Sequence, residues 1–513
     1  MNAVKDGQST AIVDATGVFT VEEVSAFAHR LANRILDLCL APEDRVAILS
    51  TNNAFALMTH LGVLLSGASV VPLNTHLAPR ELIRVLLDSN VRVVIAEEVL
   101  LDRLFEHRRE IPADYLVVLG ASSSVYQGAG IEEWVEGAST EPPPTDIPFN
   151  RGLLYTSGTT GFAKAVRMPE NMFPGGETVG EALERSQLSR FAPFGTHLVA
   201  GPLYHTGPLQ AIRLLAMGKR IVVPERFEPA SILDLINKWE VETSVMVPTH
   251  FSRFLRERRR YPGRWRSFPS LRKVSHTGAP TPVDLKREML DWWGPVLVDS
   301  YGATEAGVLC SIDSDEWEQR QGSVGRPCHP YEVIVVDDFD RVLGPNQVGT
   351  LYFKDKTGAG IEYLNDEVKT KQAHRDTAEF TLGDIGYVDT EGFVYFKDRG
   401  ADVILSGGVS LYPAEIEAAL AGHPAVRDLA VIGVPDEDLG ESVRAIVCLN
   451  PNVIQDDVIG ELAKHCRETV GTLRAPRSFL VVDHVLHNAM GKIDRRRLRD
   501  RYLCQRAIEV APA

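Results

Sequence analysis

Between Tyr155 and Ala165 the chain reads Tyr-Thr-Ser-Gly-Thr-Thr-Gly-Phe-Ala-Lys-Ala. Thr156, Ser157, Thr159 and Thr160 offer hydroxyl donors, Gly158 and Gly161 let backbone approach phosphate oxygens, and Lys164 adds a mobile positive charge. Such a loop suits a polyphosphate; the alternative is a Ser/Thr/Gly-rich surface turn. Lys164 follows Gly161 by three residues and no hydroxyl follows it, so the spacing differs from a GxxxxGK[ST] loop. Alanines flank the lysine on both sides.

Four further segments carry chemistry. Tyr301-Gly302-Ala303-Thr304-Glu305 follows the apolar run Val296-Leu297-Val298 and groups an aromatic face, a hydroxyl and a carboxylate at a strand end. It could stack on a base, donate to a phosphate and hold a divalent cation, or be an ordinary turn. Asp384, in Thr381-Leu382-Gly383-Asp384-Ile385-Gly386, and Arg399 offer a carboxylate for ribose hydroxyls and a guanidinium for oxygen ligands, or else a structural turn and ion pair. Ser406-Gly407-Gly408-Val409 leads into a proline-and-acid helix start at Pro413-Ala414-Glu415-Ile416-Glu417. Asn488-Ala489-Met490-Gly491-Lys492-Ile493-Asp494 is a glycine–lysine turn ahead of Arg495-Arg496-Arg497, which reads as a solvated helix face.

Layered elements must position these segments. Thr20-Val21-Glu22-Glu23 fits a capping box ahead of Val24, Phe27, Ala28, Leu31 and Ile35 at helical spacing. Strand-like runs at 45–49, 91–95 and 116–119 alternate with helical patterns such as 80–87, which predicts α/β layers with largely parallel sheets. The apolar stretch 61–73 is interrupted by Ser66, Gly67 and Ser69 and reads as a buried helix entering a strand. Beyond about residue 325 the pattern is strand-rich, and the last 110 or so residues suffice for a small α+β domain. The expected organisation is a large N-terminal domain over 1–399, a hinge at 400–402 and a small mobile domain over 403–513.

The 513 residues carry a formal charge of −15, which argues against nucleic acid or an anionic membrane surface as main partner. Cys39, Cys310, Cys328, Cys448, Cys466 and Cys504 are scattered without a CxxC pair, as for reduced thiols in a cytoplasmic protein. No apolar leader is expected from the first residues. The basic run 253–260 reads as a solvated helix face, the alternative being contact with a phosphate of an anionic ligand.

In this order and at these separations the segments resemble the adenylate-forming superfamily, over nearly the whole chain; Ser406 to Glu417 looks most like its acyl-CoA ligase branch. The resemblance implies a two-step reaction of a small-molecule carboxylic acid with ATP and then coenzyme A, through an acyl-adenylate. It implies that Thr156, Ser157, Gly158, Thr159, Thr160 and Lys164 embrace the β,γ-phosphates, Thr304 the α-phosphate and Glu305 a magnesium ion. Tyr301, with Ser300 and Gly302, would face adenine, Gly278-Ala279-Pro280 would lie on its other side, and Asp384 and Arg399 would hold ribose. Lys492 would bridge the carboxylate and α-phosphate, rotation about Ala401 would withdraw it, and Gly407 and Gly408 would then face pantetheine. His205, Met246, Pro248, Phe251, Thr277 and Val308 would line the acyl pocket; no charge stands among them, which points to a hydrophobic acid.

One departure stands out. The usual loop continues Gly-x-Pro-Lys-Gly, where this chain has Ala163 and Ala165. If the second site needs positive φ, Ala165 costs about 1–3 kcal/mol, and loss of proline adds loop entropy. Both penalties fall on adenylation alone. The expectation is a weak or absent first step, with acyl-AMP supplied by a separate adenylating ligase, and reversion of both alanines should then raise pyrophosphate release. The alternatives are a fully competent ATP-dependent synthetase and an adenylation enzyme that loads a carrier protein.

Overall fold

The structure is a computed structural model that describes residues 7–120, 128–156, 164–170, 172–173, 175–358, 360–406, 409–436, 439–451, 453, 455–472, 474–487, 493–503 and 508–509. The capping box forms as expected: Thr20 Oγ1 accepts from the Glu23 N–H and the Glu23 carboxylate accepts from the Thr20 N–H. The helix Val21–Leu36 so started buries Val24, Phe27, Leu31 and Ile35 against the apolar helix Ala54–Leu65, which feeds the strand Ser69–Pro72.

Among the described residues five sheets form. A wholly parallel sheet runs Ser69–Pro72, Arg45–Leu49, Val91–Ala96, Tyr115–Val118, Ala129–Gly130. Its near-continuous Val/Ile/Leu runs follow from helices covering both faces. A nine-stranded sheet has at its centre the parallel strands His197–Val199, Thr243–Met246, Lys273–His276 and Leu297–Ala303, continued antiparallel by Gly307–Ile312 and Arg326–Pro327. An antiparallel sheet of five strands spans Tyr331 to Arg399, and a mixed six-stranded sheet holds strands from Ile404 to Glu509 around its own core of Ile404, Ile416, Leu420, Val431, Ala445 and Phe479. Leu153–Thr156 and Lys164–Arg167 form a separate two-stranded ribbon.

Gly400–Asp402, containing Ala401, makes a single 3₁₀ turn between the last strand of the antiparallel sheet and the first of the six-stranded one. Contacts cross this turn: Lys397 Nζ donates to Glu415 at 2.6 Å, and the Ala414 N–H donates to Asp398 Oδ2 at 3.0 Å.

Two expectations change. Tyr301, Gly302 and Ala303 are the end of a strand rather than a turn after one, because Gly307–Ile312 returns to pair with them. Arg495 is not on a solvated face: its guanidinium is tucked against Glu417 at 2.6 Å and Asp402 at 3.4 Å, since its helix packs towards the junction. Burial pushes the Glu417 carboxyl up to about 7, with Arg495 and the Val431 N–H opposing. The run 253–260 does lie on a helix, Pro248–Arg260, with Phe251, Phe254 and Leu255 buried and the arginines exposed.

Candidate active site

The parallel strands Thr243–Met246, Lys273–His276 and Leu297–Ala303 end side by side, and a cavity of about 400 Å³ opens there. Carboxyl ends of parallel strands leave such a crevice because the chain turns away into its crossovers. Met246, Thr277, Gly278, Ser300, Gly302, Ala303, Thr304 and Val308 stand on its wall. Beneath it Asp299 braces two strands, accepting from the fully buried Lys286 Nζ at 3.0 Å and facing His276 Nδ1 at 3.3 Å. The Lys286 ammonium also sits over the Trp317 ring, 4.3 Å from its centroid. Burial lowers the pKa values of both groups, His276 to about 4, while Asp299 opposes.

Thr304 and Glu305 lie in the tight connection between Leu297–Ala303 and Gly307–Ile312. The hairpin needs Gly302: a Cβ there would stand 1.8 Å from the Gly307 carbonyl oxygen. Tyr301 Oη donates to Asp384 Oδ2 at 2.5 Å, which brings together two of the expected nucleotide-site residues across the sheet boundary. Asp384 is opposite Arg399 in the strand ladder. Tyr363 Oη donates to Glu305 Oε1 at 2.8 Å and so fixes that carboxylate. A single carboxylate beside a hydroxyl fits magnesium, which keeps several waters and takes further ligands from substrate phosphates.

Lys164, at the start of the strand Lys164–Arg167, is turned to Asp366: Nζ and Oδ2 are 2.5 Å apart, across 202 residues of sequence. The ammonium and the Lys369 N–H hold the Asp366 carboxyl below the usual range. Asp366 also caps the helix Glu367–Ala373. Ala165 is buried, pairs with Tyr155, and its carbonyl accepts from the Leu364 N–H at 3.0 Å. Its φ is not positive, so the expected backbone penalty at this position is absent; the ribbon makes it ordinary strand. Ser157, Gly158, Thr159, Thr160, Ala163, Gly407, Gly408 and Lys492 lie outside the described residues, as do the side chains of Thr156, Arg399 and Ala401. His487, which bridges to Ile493, reaches the cavity wall from the C-terminal sheet's side.

Of the six residues expected on the acyl wall, three stand on this cavity. Met246, Thr277 and Val308 line the cavity, whereas His205, Pro248 and Phe251 do not. His205 stands at the N-cap of the helix Thr206–Ala216 with its ring against that of Tyr204, and it is Tyr204 that faces the cavity. Phe251 belongs to the apolar face of its helix and packs in the core against His276 and Trp293. The opposite face of that helix turns Thr249, His250 and Arg253 to the cavity. Ala279 and Pro280 are exposed beyond Gly278.

Nor is the wall free of charge. Glu225, Arg226 and Arg253 sit exposed at the mouth, and Arg190 lies within. Arg190 Nη1 donates to Ser300 Oγ at 2.8 Å and to Ser311 Oγ at 3.5 Å. Burial pushes its guanidinium below the ordinary arginine value, and no carboxylate among the described residues reaches it. No local pattern marks Arg190, because its contacts are 110 and 121 residues away.

A family model described as AMP-binding enzyme matches residues 1–360, and one described as AMP-binding enzyme C-terminal domain matches residues 415–492. The chain belongs to the AMP-binding enzyme family. It is 30% identical to the fatty acid–[acyl-carrier-protein] ligase ScoC of Streptomyces coeruleorubidus, over 98% of this chain and 95% of that one. It is 29% identical to the 2-succinylbenzoate–CoA ligase of Bacillus subtilis, over 96% of this chain and 94% of that one. The solved o-succinylbenzoate CoA synthetase of B. subtilis, in complex with the acyl-adenylate intermediate OSB-AMP, superposes with a TM-score of 0.78 at 27% identity, covering 98% and 97% of the two chains.

Proposed function

We propose that this protein is an acyl-CoA ligase that works through an acyl-adenylate, and that thioester formation is its strong half-reaction while adenylation from ATP is slow. In the first step a carboxylate oxygen bonds to the α-phosphorus of ATP and the bond to pyrophosphate breaks. In the second the coenzyme A thiolate bonds to the acyl carbon and AMP leaves. Two anions meet in the first step, so donors and cations must stand where charge accumulates. Thr304 donates to the α-phosphate, Glu305 holds magnesium, which when bound neutralises phosphate charge, and Asp384 with Arg399 takes the ribose. Tyr301, Ser300, Gly302 and Gly278 shape the nucleotide side. Lys492 serves the first step from the small domain, residues 403–513, which pivots at Ala401 so that Gly407 and Gly408 face pantetheine in the second. Met246 and Val308 give the acid's body an apolar wall.

The carrying observation is the Lys164–Asp366 pair. The phosphate-loop lysine is already neutralised, so β,γ-phosphates must compete with a carboxylate for it. That penalty falls on adenylation alone, because pyrophosphate has left before coenzyme A arrives. A separate ligase supplying acyl-AMP would bypass it. The acid is a hydrophobic one and the work is done in the cytoplasm; no helix among the described residues is long and apolar enough to cross a membrane.

Two assays on the full chain test the reading. Acid-dependent pyrophosphate release should be slow, and thioester formation from synthetic acyl-AMP and coenzyme A fast. Equal rates would make it an ordinary two-step synthetase. Replacing coenzyme A by a phosphopantetheinylated carrier protein decides the acceptor; preference for the carrier would assign it to the chemistry named for the Streptomyces relative.

A further inference from the structure

Arg190 is a guanidinium set into a cavity wall without a counter-ion among the described residues. A charge removed from water is costly unless it is paired and hydrogen-bonded. Two serine hydroxyls orient this one without neutralising it, and they hold it against two neighbouring strands: Ser300 on Leu297–Ala303 and Ser311 on Gly307–Ile312, opposite one another in the ladder. Ser275 Oγ stands 2.9 Å from Ser300 Oγ, which extends the polar floor to a third strand. The nearby Cys328 thiol is kept protonated by burial and supplies no charge.

Position along the strand decides which anion belongs here. Thr304 follows directly on Ala303, at the end where activation takes place on the reading above. Ser300 lies three residues back from Ala303, across a bulge at Tyr301–Gly302, and at about 3.3 Å per residue the guanidinium's anchor is at most about 10 Å deeper than that end. Ser300 lines the cavity while Tyr301, next along the strand, turns its side chain to Asp384 on the other face. The carboxyl being activated at Thr304 therefore does not reach Arg190; the far end of the acid does.

We infer that Arg190 selects acids with a second carboxylate at the end remote from the one that is activated. The inference rests on the acyl-CoA ligase reading and narrows its substrate class from carboxylic acids in general to dicarboxylic acids whose middle is apolar enough for Met246 and Val308. Bidentate pairing of guanidinium with carboxylate gives that selection its geometry.

The test uses synthetic acyl-adenylates matched in length and ending in a methyl, a carboxylate or an ammonium group. Each is given to the full chain with coenzyme A, thioester is followed by mass, and affinity is measured separately by calorimetry. The carboxylate-ended adenylate should be favoured over the methyl-ended one on the order of 100-fold in kcat/KM. Arg190→Met should collapse that ratio towards one, and Arg190→Glu should shift preference to the ammonium-ended compound. A wild-type chain that favours the methyl-ended adenylate, with a ratio unmoved by Arg190→Met, would reduce Arg190 to a clamp between two strands. Thioester from none of the adenylates would sink the ligase reading instead, while the calorimetric ratio still decides the role of Arg190. The wild-type comparison stands even if a variant fails to fold.

Discussion

Two hairpins face the nucleotide side of this molecule, and they are held in different ways. Leu297–Ala303 with Gly307–Ile312 is sewn into a nine-stranded sheet, with a parallel neighbour on one side and an antiparallel one on the other. Leu153–Thr156 with Lys164–Arg167 is a ribbon of two strands, joined to the rest through the Val166–Tyr363 bridge and the Leu364 N–H to Ala165 carbonyl bond. Both end at the same short segment: Glu305 is bound by Tyr363 and Lys164 by Asp366. The difference lies in charge. Tyr363 orients Glu305 with a neutral hydroxyl and brings no charge to it, whereas Asp366 sets a carboxylate against the ammonium that Lys164 would bring to phosphate.

The contrast can be broken from the sheet side first. Glu305→Gln should lower pyrophosphate release by about 100-fold or more and leave thioester formation from acyl-AMP within about twofold; loss of both would mean that the carboxylate serves more than magnesium. Gly302→Ala should destabilise the protein by about 3 kcal/mol, seen in denaturant unfolding, because the new Cβ meets the Gly307 carbonyl oxygen. From the ribbon side, Asp366→Asn should raise pyrophosphate release about tenfold at sub-saturating ATP. Asparagine still caps the Glu367–Ala373 helix, so the fold should survive. Ala165→Gly, by contrast, should leave that release within about twofold, since strand backbone gains nothing from glycine, and cost about 1 kcal/mol of stability.

The smallest effect concerns protons. His60, beside the ribbon's Gly152 and Met168, and His197, in the large sheet with Nδ1 at 2.8 Å from Thr243 Oγ1, are both depressed by burial to about 3. The unfolded chain binds the extra protons, so each contributes stability that is full above about pH 6.5 and is lost as pH falls towards 3. Melting temperature should fall across that window. His60→Met should flatten the fall if the ribbon's surroundings open first, and His197→Asn if the sheet does.

Much of this was legible in sequence because periodicity and turn chemistry are local. The capping box at Thr20, the helix-to-strand passage in 61–73 and the strand runs at 45–49 and 91–95 appear where their patterns place them. Tyr301, Thr304 and Glu305 share one motif, and the structure keeps them in one hairpin. What failed was long-range or facial. Phe251 was expected on the acyl wall from the family resemblance, but the apolar face of its helix packs it into the core. Lys164 looked free for phosphate, and its partner is 202 residues away. Arg190 carried no motif, and only the folding of Ser300 and Ser311 beneath it gives the residue meaning.

The clasp across Gly400–Asp402 has a consequence of another kind. Lys397 with Glu415 is an ion pair partly open to solvent, and the Asp398 carboxylate takes the first helix of the C-terminal part by the Ala414 N–H. If that part pivots at Ala401 as proposed above, both contacts must part, and added salt screens the ion pair. Turnover governed by the swing should therefore quicken with ionic strength, while a single turnover confined to one orientation should not.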